Sequence, residues 1–452
     1  MFGFEITRAR RRAGRTGPSG RSAARAGGLV LAILLTATGV AAQTAPDAAM
    51  PKSVKRFTDT RADCFLTGEK QDYDAWIDQF RITVPGCDKG MIPPQKTLQS
   101  FRVYKQGSNR VIDCSTLRQK EFGTRFLDTY LADVVAETDA ARKSPAAASC
   151  AANMLYAWAK ADAITEIGDQ GNENQSQAMI GWTFGGLSAA YYIHPEVRAA
   201  AKAVRAADGT ADDVIRAWFQ KLAGPVSAMI DRDRAAKNED NIQYWRAFAI
   251  LPTAFLNADA ELMAQSRAVF DSALAQVTMN QKNPANDGYL PLEMERGPRA
   301  LHYQTYAAQP ILGIALLSES EGCGFLASGA QTERLTMLMS RVFEARSDPK
   351  LVSAQVARYA KNGKPVEQLR TGTVGGAPRL MYLVNAIDPA LYTAVDDNLA
   401  ATTGEPSPVI RARAGRDAGQ DRMGGAYSAL AAAAKVPGPP PAAIASVCRS
   451  DG

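Results

Sequence analysis

The feature that most constrains the fold of this chain is a long succession of segments with helical periodicity. From about Ser115 onward, alanine- and leucine-rich stretches follow one another between short polar or Gly/Pro breaks. In DDVIRAWFQKLAGPVSAMI, for example, apolar residues recur at i, i+3, i+4 and i+7, as on one face of a helix. The predicted helices are 116–140, 147–167, 174–193, 195–206, 211–233, 240–256, 258–280, 299–318, 330–346 and 376–387.

Strands are not indicated anywhere by a convincing alternation of apolar and polar residues. A chain of about ten helices with short connections favours antiparallel neighbours. We therefore predict an all-α fold, either an α/α toroid (α/α barrel) or another helical array. The longer polar loops 281–298 and 346–375 are the expected places for functional residues.

The N-terminus has the three parts of a secretory signal peptide. Residues 1–27 contain seven arginines and one acid, and an apolar run that ends in small residues, GLVLAILLTATGVAA, follows them. This run is short for a transmembrane helix, which needs about 20 apolar residues. We predict cleavage after Ala42 and a periplasmic or secreted protein; an uncleaved anchor is the alternative.

The leader explains the net charge of +6. The chain has 52 basic and 46 acidic residues, and residues 1–42 hold seven arginines and one glutamate, so 45 of each sign remain after cleavage. No basic run interleaved with aromatic residues is present. We therefore expect no nucleic-acid partner. We also expect no membrane partner after cleavage, and a monomer.

The predicted domain organisation has four parts. They are a signal peptide, a flexible N-terminus, one α/α domain and a Pro/Ala-rich C-terminal tail, at 1–42, 43–60, 61–402 and 403–452. The six cysteines include no C-x-x-C pair, and an even number in an exported chain indicates disulfides. Cys64–Cys87 is a plausible local bridge and Cys448 could tie the C-terminus to the body; buried free thiols remain the alternative.

Two polar and aromatic clusters are the candidate functional segments. His194 and His302 are the only histidines, and there is no H-E-x-x-H, Gly-rich phosphate loop or G-x-S-x-G motif, so we predict neither metal nor cofactor. The clusters are KNEDNIQYWRAF and DGYLPLEMERGPRALHYQTYAAQP. In the second, Arg299, Tyr303 and Tyr306 follow the i, i+4, i+7 spacing of one helix face, and His302 lies beside them. Ordinary aromatic packing is one interpretation; a carbohydrate cleft is the other.

These segments resemble the bacterial alginate (polymannuronate) lyase family. RALHYQTYAAQP is similar to its R-A-L-x-Y-x-x-Y-A-x-x-P segment, DGYLPLE to its G-F-L-P-x-E loop and NIQYWRAF to its N-H-S-Y-W segment. SQAMIGWTFGGLSAAYY and FRVYKQGSN with CSTLR also resemble family segments, in the same order, over roughly residues 100–320. The resemblance implies a periplasmic enzyme folded as an incomplete α/α toroid that cleaves a 4-linked uronic acid polymer by β-elimination.

The resemblance also implies roles for individual residues. Tyr306 matches the catalytic tyrosine, Arg299 the active-site arginine and Asn241 the asparagine that contacts the substrate carboxylate. Because a free tyrosine has a pKa of about 10, it needs a nearby cation to act as a base, and Arg299 is the expected one. The expected substrate-binding residues are Lys105 (or Tyr104 if the register shifts by one), Gln243, Tyr244, Trp245, His302, Tyr303 and Trp182.

The chain departs from the family at three histidine positions. Ile242 follows Asn241 where the family has His, Gln304-Thr305 replaces the His-Asn between the two tyrosines, and residues 173–176 replace N-H-T-G. Gln243 or His302 would then have to neutralise the substrate carboxylate. The departures leave open a uronate other than alginate.

Two other functions compete with a lyase. A glycoside hydrolase would need two carboxylates about 5–10 Å apart, and the available acids are Glu239, Asp240, Asp287, Glu293 and Glu295. A non-catalytic protein that binds an exopolysaccharide during export is favoured by the missing histidines. An acidic polysaccharide is the expected partner of the lyase.

Overall fold

The computed structural model describes residues 57–58, 64–65, 69–108, 111–168, 172–326, 329–359, 363–369, 371, 377, 380–403, 419–434 and 442–448. The predicted signal peptide lies outside the described residues, as does most of the segment 43–60. Within the described ranges, no helix is long and apolar enough to cross a membrane.

Helices dominate the described part of the chain. In chain order, α1 to α16 are Glu69–Asp78, Cys114–Ala141, Pro145–Lys160, Glu173–Ile193, Pro195–Ala203, Ala211–Ala235, Asn241–Asn257, Ala260–Gln276, Pro291–Met294, Ala300–Ser320, Gly329–Ser347, Lys350–Tyr359, Leu380–Ile387, Pro389–Thr403, Tyr427–Ala434 and Ala445–Cys448. Each of the ten predicted helices is present. The sequence missed α12, which lies inside the predicted loop 346–375, and also α1, α14, α15 and the four-residue α9 and α16.

Strands in the described residues are only two residues long. β1 to β8 are Phe57–Thr58, Thr97–Leu98, Ile112–Asp113, Glu166–Ile167, Arg205–Ala206, Gly209–Thr210, Gly419–Gln420 and Gly425–Ala426. They form four two-stranded pairs: β1–β3, β5–β6 and β7–β8 are antiparallel, and β2–β4 is parallel. Segments this short cannot produce a detectable period of two along the sequence.

The core is built around α4, α7 and α10, which pack side by side. Nearly every residue of α7 and α10 is buried. A helix that is buried on all sides has no solvent face, so its apolar residues are not confined to one stripe. Polar residues on these two helices are thus inside the molecule, and the burial cost requires each to find a partner or a use.

The start of α7, at the predicted site residue Asn241, is determined by a local helix cap. The carboxylate of Asp240 accepts a hydrogen bond from the Ile242 N–H and caps the helix. The start of α10 differs, because Gly297–Arg299 forms a separate 3₁₀ turn before α10 begins at Ala300. A 3₁₀ turn has about three residues per turn rather than 3.6, which breaks the helical phase between Arg299 and the residues that follow.

All six cysteines form disulfides: Cys64–Cys114, Cys87–Cys150 and Cys323–Cys448. The predicted Cys64–Cys87 bridge is therefore wrong, because each of these two cysteines pairs with one near the start or middle of a long helix instead. The predicted tie between Cys448 and the body is confirmed. Proximity in sequence was a poor guide because each bridge spans 50 residues or more.

Part of the predicted C-terminal tail folds against the body. Residues 419–426 form the β7–β8 hairpin, whose connecting 3₁₀ turn Asp421–Met423 packs on α4, and α15 packs on α10 and α13. Met423 and Leu430 are completely buried in the main core. The domain boundary at residue 402 stays a prediction, but residues 419–434 contribute to the packed interior.

Candidate active site

Tyr306, on α10, lies at the centre of a buried aromatic pocket. Its side chain has no solvent exposure. The ring of Trp245 on α7 is 5.0 Å away, and the ring of His302 lies nearly parallel to it at 5.8 Å. The hydroxyl accepts a hydrogen bond from Arg422 Nη1 at 3.4 Å. The pocket thus surrounds one phenol with aromatic rings and places one guanidinium on its oxygen.

The second tyrosine of α10 has a different neighbourhood. Tyr303 Oη is 2.8 Å from Tyr104 Oη, and either hydroxyl can be the donor. The guanidinium of Arg296 lies over the Tyr303 ring at 5.0 Å, and that of Arg299 lies over the Tyr104 ring at 5.5 Å. His302 joins the two environments, because its ring also meets Tyr303 edge-on at 5.0 Å.

Arg299 is not brought to the hydroxyl of Tyr306, which is a correction to the sequence-based expectation. The i, i+7 spacing places the two residues on one face only in a continuous helix, whereas Arg299 belongs to the 3₁₀ turn that precedes α10. Its guanidinium faces Tyr104 instead. Arg422, which the sequence analysis did not single out, occupies the position expected for Arg299.

Burial and charge oppose each other at both phenols. Burial raises the pKa of Tyr306, and the Arg422 guanidinium lowers it. The pKa of Tyr303 is raised well above its ordinary value by burial and by Tyr104, against smaller lowering effects of Arg296 and Arg299. A phenolate is disfavoured by desolvation unless a cation compensates. The hydrogen-bonded cation makes Tyr306 the better candidate base.

Asn241 is held by a buried carboxylate. Glu293 has no solvent exposure and accepts hydrogen bonds from the Asn241 backbone N–H at 2.7 Å and from Nδ2 at 3.0 and 2.9 Å. Burial, followed by repulsion from Asp240, raises the pKa of Glu293 to about 7, and Arg296 opposes this. Among the described residues, Asn241 Oδ1 is buried with no hydrogen-bond partner.

This arrangement changes what Asn241 can offer a substrate. Its amide nitrogen is occupied by Glu293, so the group turned elsewhere is an acceptor rather than a donor. Arg296 links the pair to the phenols: it forms an ion pair with Asp240 at 2.5 Å, lies 3.8 Å from Glu293 and stacks on Tyr303. A continuous network therefore runs from Asn241 to Tyr303.

Four other predicted residues lie at this site or at its edge. Trp245 packs on Tyr306, and its Nε1 is buried without a hydrogen-bond partner in the described structure. Trp182 lies under the Arg422 guanidinium at 4.8 Å. His302 Nδ1 is 2.9 Å from Thr371 Oγ1. Lys105 is exposed, next to the half-buried Tyr104.

Two predicted residues direct their hydrogen bonds to groups outside the cluster. Gln243 Nε2 donates to the Ile230 carbonyl, and its Oε1 accepts from Arg246. Tyr244 Oη donates to the Glu239 carbonyl at 3.0 Å. Because the amide of Gln243 is bonded to other groups and the ring of His302 contacts Tyr306, His302 is the better placed of the two for a substrate carboxylate.

Arg422 and Arg296 are not among the residues that the sequence predicts for the site, and Glu293 is predicted only as a possible hydrolase acid. Arg296 had a usable signal, since it lies three residues after Glu293 and three before Arg299. Arg422 had none, because its contact with Tyr306 spans 116 residues. Within the described residues, no group of three or more His, Cys, Asp or Glu side chains is placed to hold a metal ion.

Comparison with known proteins agrees with this description. A family model for alginate lyases matches residues 104–352, more than half of the chain. A polysaccharide lyase of Stenotrophomonas maltophilia (strain K279a) is 31% identical over 260 residues, covering 57% of this chain and 72% of that protein. An alginate lyase of Cobetia marina is 27% identical over 268 residues, covering 56% of this chain and 65% of that protein, just under two thirds.

Solved structures show the same fold. Alginate lyase A1-III from Sphingomonas species A1 superimposes with a TM-score of 0.51 at 19% sequence identity, covering 78% of this chain and 88% of that one. The likeness confirms the predicted all-α toroid. Fold and family match together define a polysaccharide lyase. The chain belongs to the alginate lyase family.

Proposed function

We propose that this protein cleaves a 4-linked uronic acid polymer of the alginate type by β-elimination, with Tyr306 as both base and acid. The observation that carries the proposal is the convergence of Tyr306, Arg299 and Asn241, the three residues that the resemblance singles out, on one buried network. These side chains come from two helices and a 3₁₀ turn, and the contacts of His302, Tyr303 and Arg296 connect them.

The chemistry requires a base, an acid and stabilisation of negative charge. The base removes the C5 proton, the C5–H electrons form the C4=C5 double bond, and O4 leaves with a proton. In mannuronate the C5 proton and O4 lie on one face of the sugar, so a single phenol can take the first proton and return it to O4. Tyr306 supplies that phenol.

The substrate carboxylate must also be neutralised, because charge moves onto it when the C5 proton leaves. Arg299 and His302 are the candidates for this role in our proposal. Arg299 is 4% exposed and its guanidinium is close to Tyr104 at the edge of the network. The Asn241 amide nitrogen is bonded to Glu293. Asn241 would therefore act through Glu293 or through its own side-chain oxygen Oδ1.

The described state of the site is closed. Tyr306, Tyr303, His302 and Asn241 are each at most 4% exposed. A polymer chain therefore needs a displacement of the covering segments before it can reach Tyr306. The segment that carries Tyr104 and Lys105 contains several exposed residues, and we expect it to move.

We also propose that the protein works outside the cytoplasm, in the periplasm or as a secreted protein, and as a monomer. The signal-peptide pattern and three disulfides support the location, since disulfides persist in oxidising compartments. The mature chain is near neutral, which suits an acidic polymer better than a strongly acidic surface would.

The test is ultraviolet absorbance of the chain from Gln43 onward, incubated with polymannuronate, mixed alginate, polyglucuronate and glucuronate-bearing exopolysaccharides. Elimination produces a conjugated double bond that absorbs, whereas hydrolysis does not. A rise on one polymer that disappears in Tyr306→Phe supports the proposal. Tyr244→Phe is the matched control, because that hydroxyl donates to the Glu239 carbonyl.

A non-catalytic polysaccharide-binding protein is the second candidate. The specific observations in its favour are the closed site and the Asn241 amide held by Glu293. It predicts a flat absorbance trace with every polymer from a folded protein, together with measurable binding of one of them that Tyr306→Phe leaves unchanged.

A further inference from the structure

The guanidinium of Arg422 is built into the pocket of Tyr306 although it comes from a distant part of the chain. The residue is 8% exposed. One face of the guanidinium lies on the Trp182 ring at 4.8 Å, Nη1 donates to the Tyr306 hydroxyl at 3.4 Å, and Nη2 is 3.8 Å from Asp128. A buried cation needs compensation, and here it comes from the carboxylates of Asp128 and Glu121, one aromatic face and one phenol.

The hairpin that carries Arg422 is fixed to the body of the protein. The side chain of Met423 is completely buried, and the Ala426 N–H donates to Asp139 at 3.2 Å. The turn also approaches the backbone of α4 closely: a Cβ added to Gly186 would lie 2.5 Å from the Asp421 carbonyl oxygen. Only glycine allows this approach, so the position of the guanidinium is determined by main-chain packing.

We propose that Arg422 is a catalytic residue of this lyase: it provides the positive charge that stabilises the Tyr306 phenolate, the role that the resemblance assigns to Arg299. This inference rests on the proposed function. Arg422 lies outside the segment 104–352 that the family model matches. Arg299 is then available for the substrate carboxylate, which compensates for the absence of a histidine at Ile242.

The charge of Arg422 should make the phenol of Tyr306 easier to ionise. Burial alone raises the pKa of Tyr306, and the adjacent guanidinium opposes this. Removal of the charge must therefore move the ionisation of the phenol to higher pH. One pKa unit corresponds to a tenfold change in the phenolate population at a fixed pH, so turnover should fall in proportion while substrate binding changes less.

The experiment places 3,5-difluorotyrosine at position 306, because its phenol ionises at lower pH than that of tyrosine, and follows the titration by ¹⁹F NMR. Arg422→Gln should raise the midpoint by about one unit or more, and Arg422→Lys by less, since it keeps the charge. Arg125→Gln is the matched control: Arg125 lines the same cavity of about 250 Å³ as Arg422 but pairs with Asp74.

Turnover of the unlabelled variants gives the second readout. Arg422→Gln should lower kcat at least about tenfold, with a smaller change in KM, and should shift the acidic limb of the rate profile to higher pH. An unchanged midpoint in Arg422→Gln, or a turnover higher than that of the wild type, would overturn the inference. The second result would mean that Arg422 and its hairpin block access to Tyr306. If the wild type eliminates no uronate polymer but the midpoint still moves, the proposed function fails while the assignment of the charge stands.

If Arg422→Gln does not fold, Arg422→Lys decides by itself. A lysine retains a charge but cannot occupy the same position as the planar guanidinium between Trp182 and Tyr306. A midpoint higher than that of the wild type supports the inference, and a midpoint identical to that of the wild type contradicts it.

Discussion

Tyr303 and Tyr306 lie one turn apart on α10, and their surroundings differ in kind. Tyr303 belongs to a network of several charges. Arg296 lies over its ring, and its hydroxyl is hydrogen-bonded to the hydroxyl of Tyr104. Tyr306 lies among aromatic rings, with one guanidinium on its oxygen. A cation bonded directly to a phenol oxygen opposes the cost of burying a phenolate more effectively than a cation that lies over the ring and is paired with carboxylates. The surroundings of Tyr306, rather than its residue type, therefore make it the proposed base.

The largest effect should separate these two phenols. Tyr306→Phe should lower kcat by about 10²- to 10⁴-fold, the range for loss of a general acid–base group, with KM little changed. Tyr303→Phe should lower kcat by about tenfold at most, because its hydroxyl bonds to Tyr104. Initial rates of double-bond formation measure both. Equal losses in the two variants would show that the distinction between the tyrosines is wrong.

The next prediction concerns how the ion pair of Asp240 and Arg296 stabilises the fold. Asp240 caps α7 and forms a partly buried ion pair with Arg296. Asp240→Ala should lower the free energy of unfolding by about 2–4 kcal/mol, since it removes the helix cap and the closer of the two carboxylates beside the Arg296 guanidinium. Denaturant unfolding measures this change. The control is Asp259→Ala, which removes the cap of α8 at an exposed position and should cost about 1 kcal/mol.

The pH dependence of stability should then report Glu293. Its pKa is raised from 4.5 in the unfolded chain to about 7 in the fold. The folded state therefore binds the extra proton between these values, and stability is lost as the pH rises from about 4.5 to about 7. Thermal unfolding as a function of pH should show this loss in the wild type and a flatter curve in Glu293→Gln. Glu295→Gln, an exposed neighbour, should retain the wild-type curve.

The smallest predicted effect on turnover is that of Gln243, which we place outside the site. Gln243→Ala should change kcat and KM by less than about threefold, because its amide is bonded to the Ile230 carbonyl and to Arg246. Its loss should lower stability by about 1 kcal/mol through the broken hydrogen bonds. A large rise in KM in steady-state assays would mean that α7 rotates when substrate binds and that the sequence-based role of Gln243 was correct.

The sequence predicted the two parts of the site to very different extents. Helices such as α7 and α10 could be predicted because alanine- and leucine-rich segments between breaks are a local signal. Tyr306, Tyr303 and His302 could be placed near one another because helical spacing is also local. The phase of Arg299 was missed because a three-residue 3₁₀ turn looks like helix in a sequence.

Contacts between distant segments carried no such signal. Arg422 reaches Tyr306 across 116 residues, and its surrounding sequence was read as part of a tail. The Cys64–Cys114 bridge likewise depends on how α2 meets the chain before it. Glu293 was visible as a carboxylate, but its bonds to Asn241 follow from the packing of two elements 52 residues apart. These contacts between distant segments depend on tertiary packing, which cannot be inferred from the local pattern of a single sequence.

The hairpin at residues 419–426 has a practical consequence for anyone who expresses this protein in parts. The family match ends at residue 352, and a fragment trimmed to it would retain Tyr306, Asn241 and Arg299. It would also expose the face of α4 where Met423 and the turn now lie. If Arg422 has the role proposed for it, such a fragment would keep every residue of the matched motifs and still lack the cation beside Tyr306. The unit to express would then be defined by a contact in space, beyond the segment that the family model matches.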